Sequence, residues 1–161
     1  MSDEDKKTAS GAPLTEAWSS ALDDRGREAV ARWDAARLET ELRQTPALRG
    51  RVTEPVHSVR RLLSDWEDFV RRMESGWPPD GSFSISAYPN VLEDRDLLDE
   101  VVAALPEETG RPIGRLLDQL DALFEANTVP DPEGTLRPWV RPPAGRTPSE
   151  RWNRRPRVTP W

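Results

Sequence analysis

The feature that most constrains the fold is an apolar period in the middle of the chain. Between Val56 and Trp77, large apolar residues recur at alternating spacings of three and four. This spacing places the side chains along one face of an α-helix, and charged residues fill most of the opposite face. The members of the period are Val56, Val59, Leu63, Trp66, Val70, Met73 and Trp77. We therefore predict a long amphipathic helix that buries one side against other helices.

A weaker period over residues 15–43 predicts helix on the N-terminal side. Thr15 is the predicted N-cap, because its hydroxyl can accept a hydrogen bond from a backbone N–H of the first turn. Asp23 and Asp24 interrupt the apolar positions, so the pattern leaves open whether one helix or two form here.

Two further helices are predicted on the C-terminal side. Asn90, followed three residues later by Glu93, resembles a capping box, and Pro106 ends the helix that it begins. Pro112 is predicted to open the last helix, because proline is favoured in a first helical turn. The apolar face of that last helix includes Leu117 and Leu120.

The fold class predicted from these patterns is all-α. We expect a small bundle of about four helices over residues 14–126, a disordered N-terminal arm over residues 1–13 and an extended basic tail over residues 127–161. A central loop between the helices alternates small polar and apolar residues from Ser82 to Tyr88, which predicts an extended segment. Two alternatives remain for this loop: Phe83 and Ile85 insert into the bundle, or the segment is an exposed edge that pairs with another chain.

Charge is distributed unevenly along the chain. The net charge is −6, but residues 1–126 carry −10 and residues 127–161 carry +4. The tail also holds 8 of the 16 prolines and is rich in arginine and tryptophan, so we expect it to be largely extended. A capping box from Thr147 to Glu150 predicts about two turns of helix there, ended by Pro156.

The composition argues against most enzyme and metal chemistry. There is no cysteine and only one histidine, which excludes thiolate sites and clusters of imidazole ligands. We expect His57 to be a partly exposed helix residue with no carboxylate to orient it. The acid-rich stretches are interpreted as solvated helix faces rather than a metal site; they contain Asp94, Asp96, Asp99, Glu100, Asp118 and Asp121. The sequence therefore predicts no enzyme, no cofactor and no metal.

The seven tryptophans divide into two sets. Trp18, Trp33, Trp66 and Trp77 fit helical faces and are predicted to be core residues. The other three lie among the arginines of the tail, and arginine and tryptophan are both enriched at binding hot spots. The candidate partner-binding residues are Trp139, Arg151, Trp152, Arg154, Arg155 and Trp161.

Three targets fit such a tail: the protein's own acidic body, another protein with an acidic or apolar groove, or nucleic acid. We predict a non-enzymatic protein–protein interaction module, a small cytoplasmic adaptor, regulatory or neutralising partner. The alternative is a nucleic-acid-associated accessory factor that binds through the tail; it is weaker, because the acidic body repels a polyanion. The start of the chain lacks the features of a signal peptide, and no apolar run approaches the ~20 residues of a membrane span.

Overall fold

The computed structural model describes residues 13–77 and 83–161. Within them, five α-helices and a two-stranded sheet follow one another along the chain. The helices are α1 (Leu14–Ala21), α2 (Asp24–Gln44), α3 (Val59–Glu74), α4 (Tyr88–Ala104) and α5 (Glu107–Ala126), and the strands are β1 (Thr128–Pro130) and β2 (Arg154–Pro156). Short 3-10 helices lie at Pro46–Leu48, Ile85–Ala87 and Glu150–Asn153. The predicted all-α bundle is confirmed, and residues 15–43 form two helices rather than one.

Helix α3 lies at the centre of the core and packs against α1, α4 and α5. Its apolar face, from Val59 to Met73, is buried as the sequence period predicts. The predicted ends were wrong, because Val56 is exposed before the helix begins and Trp77 follows its last turn. Ser58 is the N-cap, and its hydroxyl accepts the Arg61 N–H at 3.2 Å.

Carboxylates of α2 hold the turn that precedes α3. Glu41 accepts the backbone N–H groups of Val56 and His57 at 2.7 and 3.0 Å, and Asp34 accepts that of Val59 at 2.9 Å. A helix that began at Val56 would not provide backbone acceptors for the N–H groups of Val56 and His57, because the first N–H groups of an α-helix have no intrahelical partner. The carboxylates of α2 therefore satisfy donors at the start of α3 that the backbone leaves without an acceptor.

The N-terminus of α1 is likewise capped by a distant residue. The helix begins at Leu14, so Thr15 is not its N-cap as predicted, and Pro13 at that position offers no side-chain acceptor. Instead the carboxylate of Glu67, on α3, accepts the N–H groups of Leu14 and Thr15 at 2.6 and 2.8 Å and the Thr15 hydroxyl at 2.7 Å. Residues 1–12 of the predicted disordered arm lie outside the described residues.

Glu67 is only 2% exposed, so its charge needs several partners. Arg71 supplies another, with its Nε 3.0 Å from Glu67 Oε1. Burial alone would raise the pKa of Glu67, but the hydrogen bonds from Thr15, Leu14 and Arg71 together hold that pKa below its usual value.

Both C-terminal helices begin earlier than the sequence predicts. Helix α4 starts at Tyr88, so Asn90 lies inside it and is not its cap. Helix α5 starts at Glu107, directly after Pro106, which makes Pro112 its sixth residue. Proline at that position removes the hydrogen bond to the carbonyl of Glu108, and Glu108 is exposed at the start of the helix, where water can replace that bond.

The central loop inserts into the bundle instead of forming an extended edge. Phe83 and Ile85 are partly buried and pack against the core. The Phe83 ring lies 5.3 Å from that of Phe69 and 5.2 Å from that of Trp77, between centroids. The predicted extended segment was wrong from Ile85 onward, where a 3-10 turn leads into α4; Ser82 lies outside the described residues.

The four tryptophans predicted as core residues occupy two kinds of position. Trp18 and Trp66 are buried, whereas Trp33 and Trp77 are partly buried at the margin of the core. Trp77 follows α3 with a positive φ of 60° and donates its Nε1–H to the carbonyl of Val158, in the tail. This hydrogen bond therefore joins the margin of the core to the tail.

Replacing Glu67 by Gln should destabilise the protein at neutral pH by about 2 kcal/mol, because a charge-assisted cap is lost and an amide N–H₂ group faces backbone donors. The folded pKa of Glu67 lies below its unfolded value of about 4.5, so its contribution is present above that pH and disappears as the pH falls through the folded pKa. Urea unfolding from pH 7 down to pH 3 should show a smaller loss of stability for the variant. Exposed Glu74→Gln is the control, and equal pH profiles for wild type and Glu67→Gln would contradict this role.

Candidate functional site

The tail, residues 127–161, lies against the helices. Strand β1 follows α5 directly and pairs antiparallel with β2, with Val129 opposite Arg155. Between the two strands, Val140 is buried in the core. The two turns of α-helix predicted after Thr147 are a single 3-10 turn, because β2 begins at Arg154 and its backbone pairs with β1.

Two adjacent tail residues contact the acidic face of α4. The indole Nε1 of Trp152 donates to Asp96 Oδ2 at 2.7 Å. Arg151 donates to Asp96 Oδ1 at 3.2 Å and to Asp99 Oδ2 at 2.7 Å. Asp96 and Asp99 are three residues apart, so the helix places both carboxylates on one side. The Ser149 hydroxyl, which donates to Asp96 Oδ1 at 2.7 Å, completes this contact.

A buried arginine lies beneath this contact. Arg95 is only 4% exposed; its Nε and one terminal nitrogen donate to Asp121 at 2.9 and 2.6 Å, and the other donates to Asp99 at 2.7 Å. Trp66 Nε1 also donates to Asp121, at 3.1 Å. Burial disfavours the charged guanidinium, but the two carboxylates outweigh it and raise the pKa of Arg95 above its usual value. An arginine therefore joins the acidic faces of α4 and α5, and the described residues include no cluster suited to a metal ion.

The sequence interpretation missed Arg95, although a signal was available. Arg95 lies three residues after Leu92 and three before Leu98, both fully buried. A charged residue at a position of the apolar period implies a buried partner of opposite charge. Asp121 provides that charge from α5.

The remaining predicted binding residues of the tail differ in how far their side chains are already bonded or buried within the protein. Arg154 is bound, since its Nε donates to the Thr128 hydroxyl at 2.8 Å and a terminal nitrogen donates to the Thr128 and Glu125 carbonyls at 3.2 Å. Arg155 is partly buried in β2. Trp161 is exposed, with its ring 6.2 Å from that of Tyr88.

Trp139 is the most exposed of the predicted binding residues, with 59% of its surface exposed against 39% for Trp161. Its backbone is nevertheless fixed: its N–H donates to the Leu136 carbonyl at 2.9 Å, and that of the buried Val140 donates to the same oxygen at 2.7 Å. Arg137 and Arg141 on either side are exposed, and the Nε of Arg141 donates to the Arg137 carbonyl at 3.2 Å. The turn therefore carries an exposed indole, with an exposed arginine two residues before it and another two residues after it in the sequence.

Asp131 stabilises the start of that turn. Its carboxylate accepts the Thr135 N–H and hydroxyl at 3.1 and 2.9 Å and the Leu136 N–H at 3.4 Å. Burial would raise the pKa of Asp131, but these hydrogen bonds outweigh burial and lower it. The segment that carries Trp139 is thus anchored at Asp131 before it and at Val140 after it.

His57 does have a carboxylate partner, contrary to the sequence prediction. It lies in the turn before α3, not in the helix, and its Nδ1 is 3.3 Å from Asp94 Oδ1 on α4. Burial raises the pKa of Asp94 to about 6, and the positive charge of His57 partly offsets this rise. The pair lines a cavity of about 520 Å³ between α4 and the tail. Ser149, which lines the same cavity, donates its hydroxyl to Asp96 and so does not form a catalytic triad with this pair.

Comparison with protein-family models, with curated proteins and with solved structures gives no match. Among the described helices, none has the length and apolar character needed to cross a membrane. The predicted cytoplasmic location stays a prediction.

Replacing Trp152 by Ala should cost about 3 kcal/mol, because the substitution removes a packed ring and leaves Asp96 without its indole donor. Trp139→Ala removes a ring that is mostly in water and should change the stability by less than about 0.5 kcal/mol. Chemical denaturation of both variants measures the difference. Equal losses would show that the tail does not hold the positions described here.

His57→Ala should raise the midpoint at which Asp94 titrates above about 6, because the variant removes the positive charge that favours the carboxylate. The titration can be followed by the ¹³C resonance of the Asp94 carboxyl carbon. A lower Asp94 midpoint in the variant would contradict the pairing with His57.

Proposed function

We propose that this protein is a non-enzymatic protein-binding module, a small cytoplasmic adaptor or regulatory partner, that contacts another protein through Trp139. The observation that carries this proposal is the exposure of the Trp139 indole on a backbone that is fixed on both sides. Arg137 and Arg141 flank it and belong to the same surface, which we call the Trp139 surface.

An exposed indole on a fixed turn has the properties of a binding anchor. Large aromatic rings bury 150–250 Å² each, so transfer of the Trp139 ring into a partner's pocket releases more hydration free energy than transfer of most side chains. The hydrogen bonds from Asp131 to Val140 order the segment before binding, so little conformational entropy is lost on association. Tryptophan and arginine are also the residue types most enriched at hot spots.

The charges on the Trp139 surface indicate the partner's chemistry. An exposed indole with exposed arginines on both sides of it in the sequence suits an apolar pocket with carboxylates on its rim. Two arginines that the sequence predicts as partner-binding residues support a protein partner over a nucleic acid. Arg151 and Arg154 are already bound to the protein's own α4, α5 and β1, so they are not free to contact phosphates. A single-stranded nucleic acid would be repelled by the acidic body. Fewer arginines than the tail contains would be free to contact its phosphates.

Affinity purification with the intact chain, followed by kinetic binding measurements on the recovered protein, tests the proposal. Trp139→Ala should weaken binding by about 2 kcal/mol, roughly 30-fold, chiefly through faster dissociation. Val158→Ala, which truncates another exposed apolar residue of the tail, is the matched control and should change little. If both variants bind equally well, the Trp139 surface is not the interface.

The arginines make a different contribution in the same experiment. Replacing both Arg137 and Arg141 by Gln should slow association and flatten its dependence on salt, with a smaller effect on dissociation. A single-stranded oligonucleotide, titrated at several salt concentrations, tests the alternative function. The nucleic-acid-associated role would be favoured by saturable binding that is lost on the same double substitution. The logarithm of the affinity should then fall with the logarithm of the salt concentration with a slope near −0.7 per phosphate contact.

A further inference from the structure

The cavity between α4 and the tail, with a volume of about 520 Å³, lies within the size range of small-molecule sites. One part of its wall is apolar and consists of Leu97, Pro142, Pro143, Pro148 and Trp152. The other part is charged and holds five carboxylates of α4, two arginines and His57. Apolar walls with a few convergent polar groups are typical of ligand sites, so the charges that remain without a partner indicate the kind of ligand.

Both arginines of the wall are already neutralised. The Nε of Arg37 lies 3.3 Å from Glu41, on α2, and Arg146 lies 3.1 Å from Glu100. The backbone N–H groups at the nearby start of α3 are also bound, because Glu41 and Asp34 accept them. The positive groups around the cavity are therefore not free to hold an anion.

The carboxylates are neutralised only in part. Asp96 and Asp99 pair with Arg151 of the tail, at 3.2 and 2.7 Å. Within the part of the chain that the structure describes, no arginine forms an ion pair with Glu93 or Asp94, the two consecutive acids that precede them on α4. The wall thus carries an excess of negative charge at these two residues.

Asp94 is the less solvated of the two. Its side chain is only 19% exposed, and burial raises its pKa to about 6. No group of the described residues donates a hydrogen bond to its carboxylate, and its contact with His57, at 3.3 Å, is an ion pair only while the imidazole is protonated. A carboxylate that lacks donors at the wall of a cavity is typical of a functional site, because a ligand's donor can replace the missing solvation.

We propose that this cavity binds a small organic ammonium ion whose N–H groups donate to the carboxylates of Asp94 and Glu93. A neutral ligand would leave both charges unmatched, and an anion would add a third. The ring of Trp152, held by its hydrogen bond to Asp96, can attract the cation over its face, and the leucine and prolines contact the ligand's apolar part. This site is separate from the Trp139 surface and does not depend on the function proposed for it. The ammonium group belongs either to a free amine or to a lysine side chain of a peptide.

The test is an NMR titration of the full chain with cyclohexylammonium, followed at the assigned indole resonance of Trp152. Cyclohexanol and cyclohexanecarboxylate carry a neutral and an anionic group on the same ring. Cyclohexylammonium should shift the resonance in a saturable manner. Both analogues should bind at least about tenfold more weakly, since a hydrogen bond to a charged group corresponds to that factor or more. This comparison uses the wild-type chain alone, so it does not depend on how a variant folds.

Asp94→Asn removes the charge and keeps the shape of the side chain, so it should weaken the binding of cyclohexylammonium about tenfold. Asp68→Asn, at an exposed position of α3, is the matched control and should bind as the wild type does. Tighter binding of the capped peptide Ac-Ala-Lys-Ala-NH₂ than of cyclohexylammonium assigns the ammonium group to a peptide, and any other order assigns it to a free amine. The proposal is overturned by the absence of a saturable shift, by equal binding of either analogue, or by unchanged affinity in Asp94→Asn.

Discussion

The buried Arg95 guanidinium is the group on which the arrangement of the C-terminal half depends. A charge removed from water in this way must regain its solvation from carboxylates, and Asp121 and Asp99 supply them from α5 and α4. Asp121 also accepts the indole N–H of Trp66, the large buried side chain of α3. Asp121 thus joins α5 to α4 through Arg95 and to α3 through Trp66, by directional bonds that apolar contacts alone do not specify.

The same carboxylates explain why the tail lies where it does. Asp99 serves Arg95 with one oxygen and Arg151 with the other, so the tail arginine neutralises charge that the buried one leaves on α4. Trp152 and Ser149 then satisfy Asp96. Part of the asymmetry between an acidic body and a basic tail is therefore an internal complementarity, because Arg151 pairs with Asp96 and Asp99 and Arg146 pairs with Glu100. Trp139 and its two neighbouring arginines are left exposed.

The sequence predicted those parts of the fold that depend on local period, and it failed where the deciding partner is remote. The apolar face of α3 and the leucines of α5 follow from spacing alone. The start of α1 does not, because its capping carboxylate, Glu67, lies 53 residues beyond Leu14. The same reason accounts for His57, whose partner Asp94 belongs to a later helix. For the candidate site, composition predicted that the tail binds a partner, which stays a prediction. Only the packing of residues 127–161 separates the exposed Trp139 from Arg151, Trp152 and Arg154, which are bound within the protein.

Trp139 differs from the other two tryptophans of the tail in the surroundings of its ring. The Trp152 indole donates to Asp96 and packs against the core, and the Trp161 ring lies 6.2 Å from that of Tyr88. The Trp139 ring has 59% of its surface exposed, although hydrogen bonds to the Leu136 carbonyl hold the backbone on which it stands. The fold therefore fixes the position of the Trp139 ring, while the ring itself contributes little to the stability of the fold.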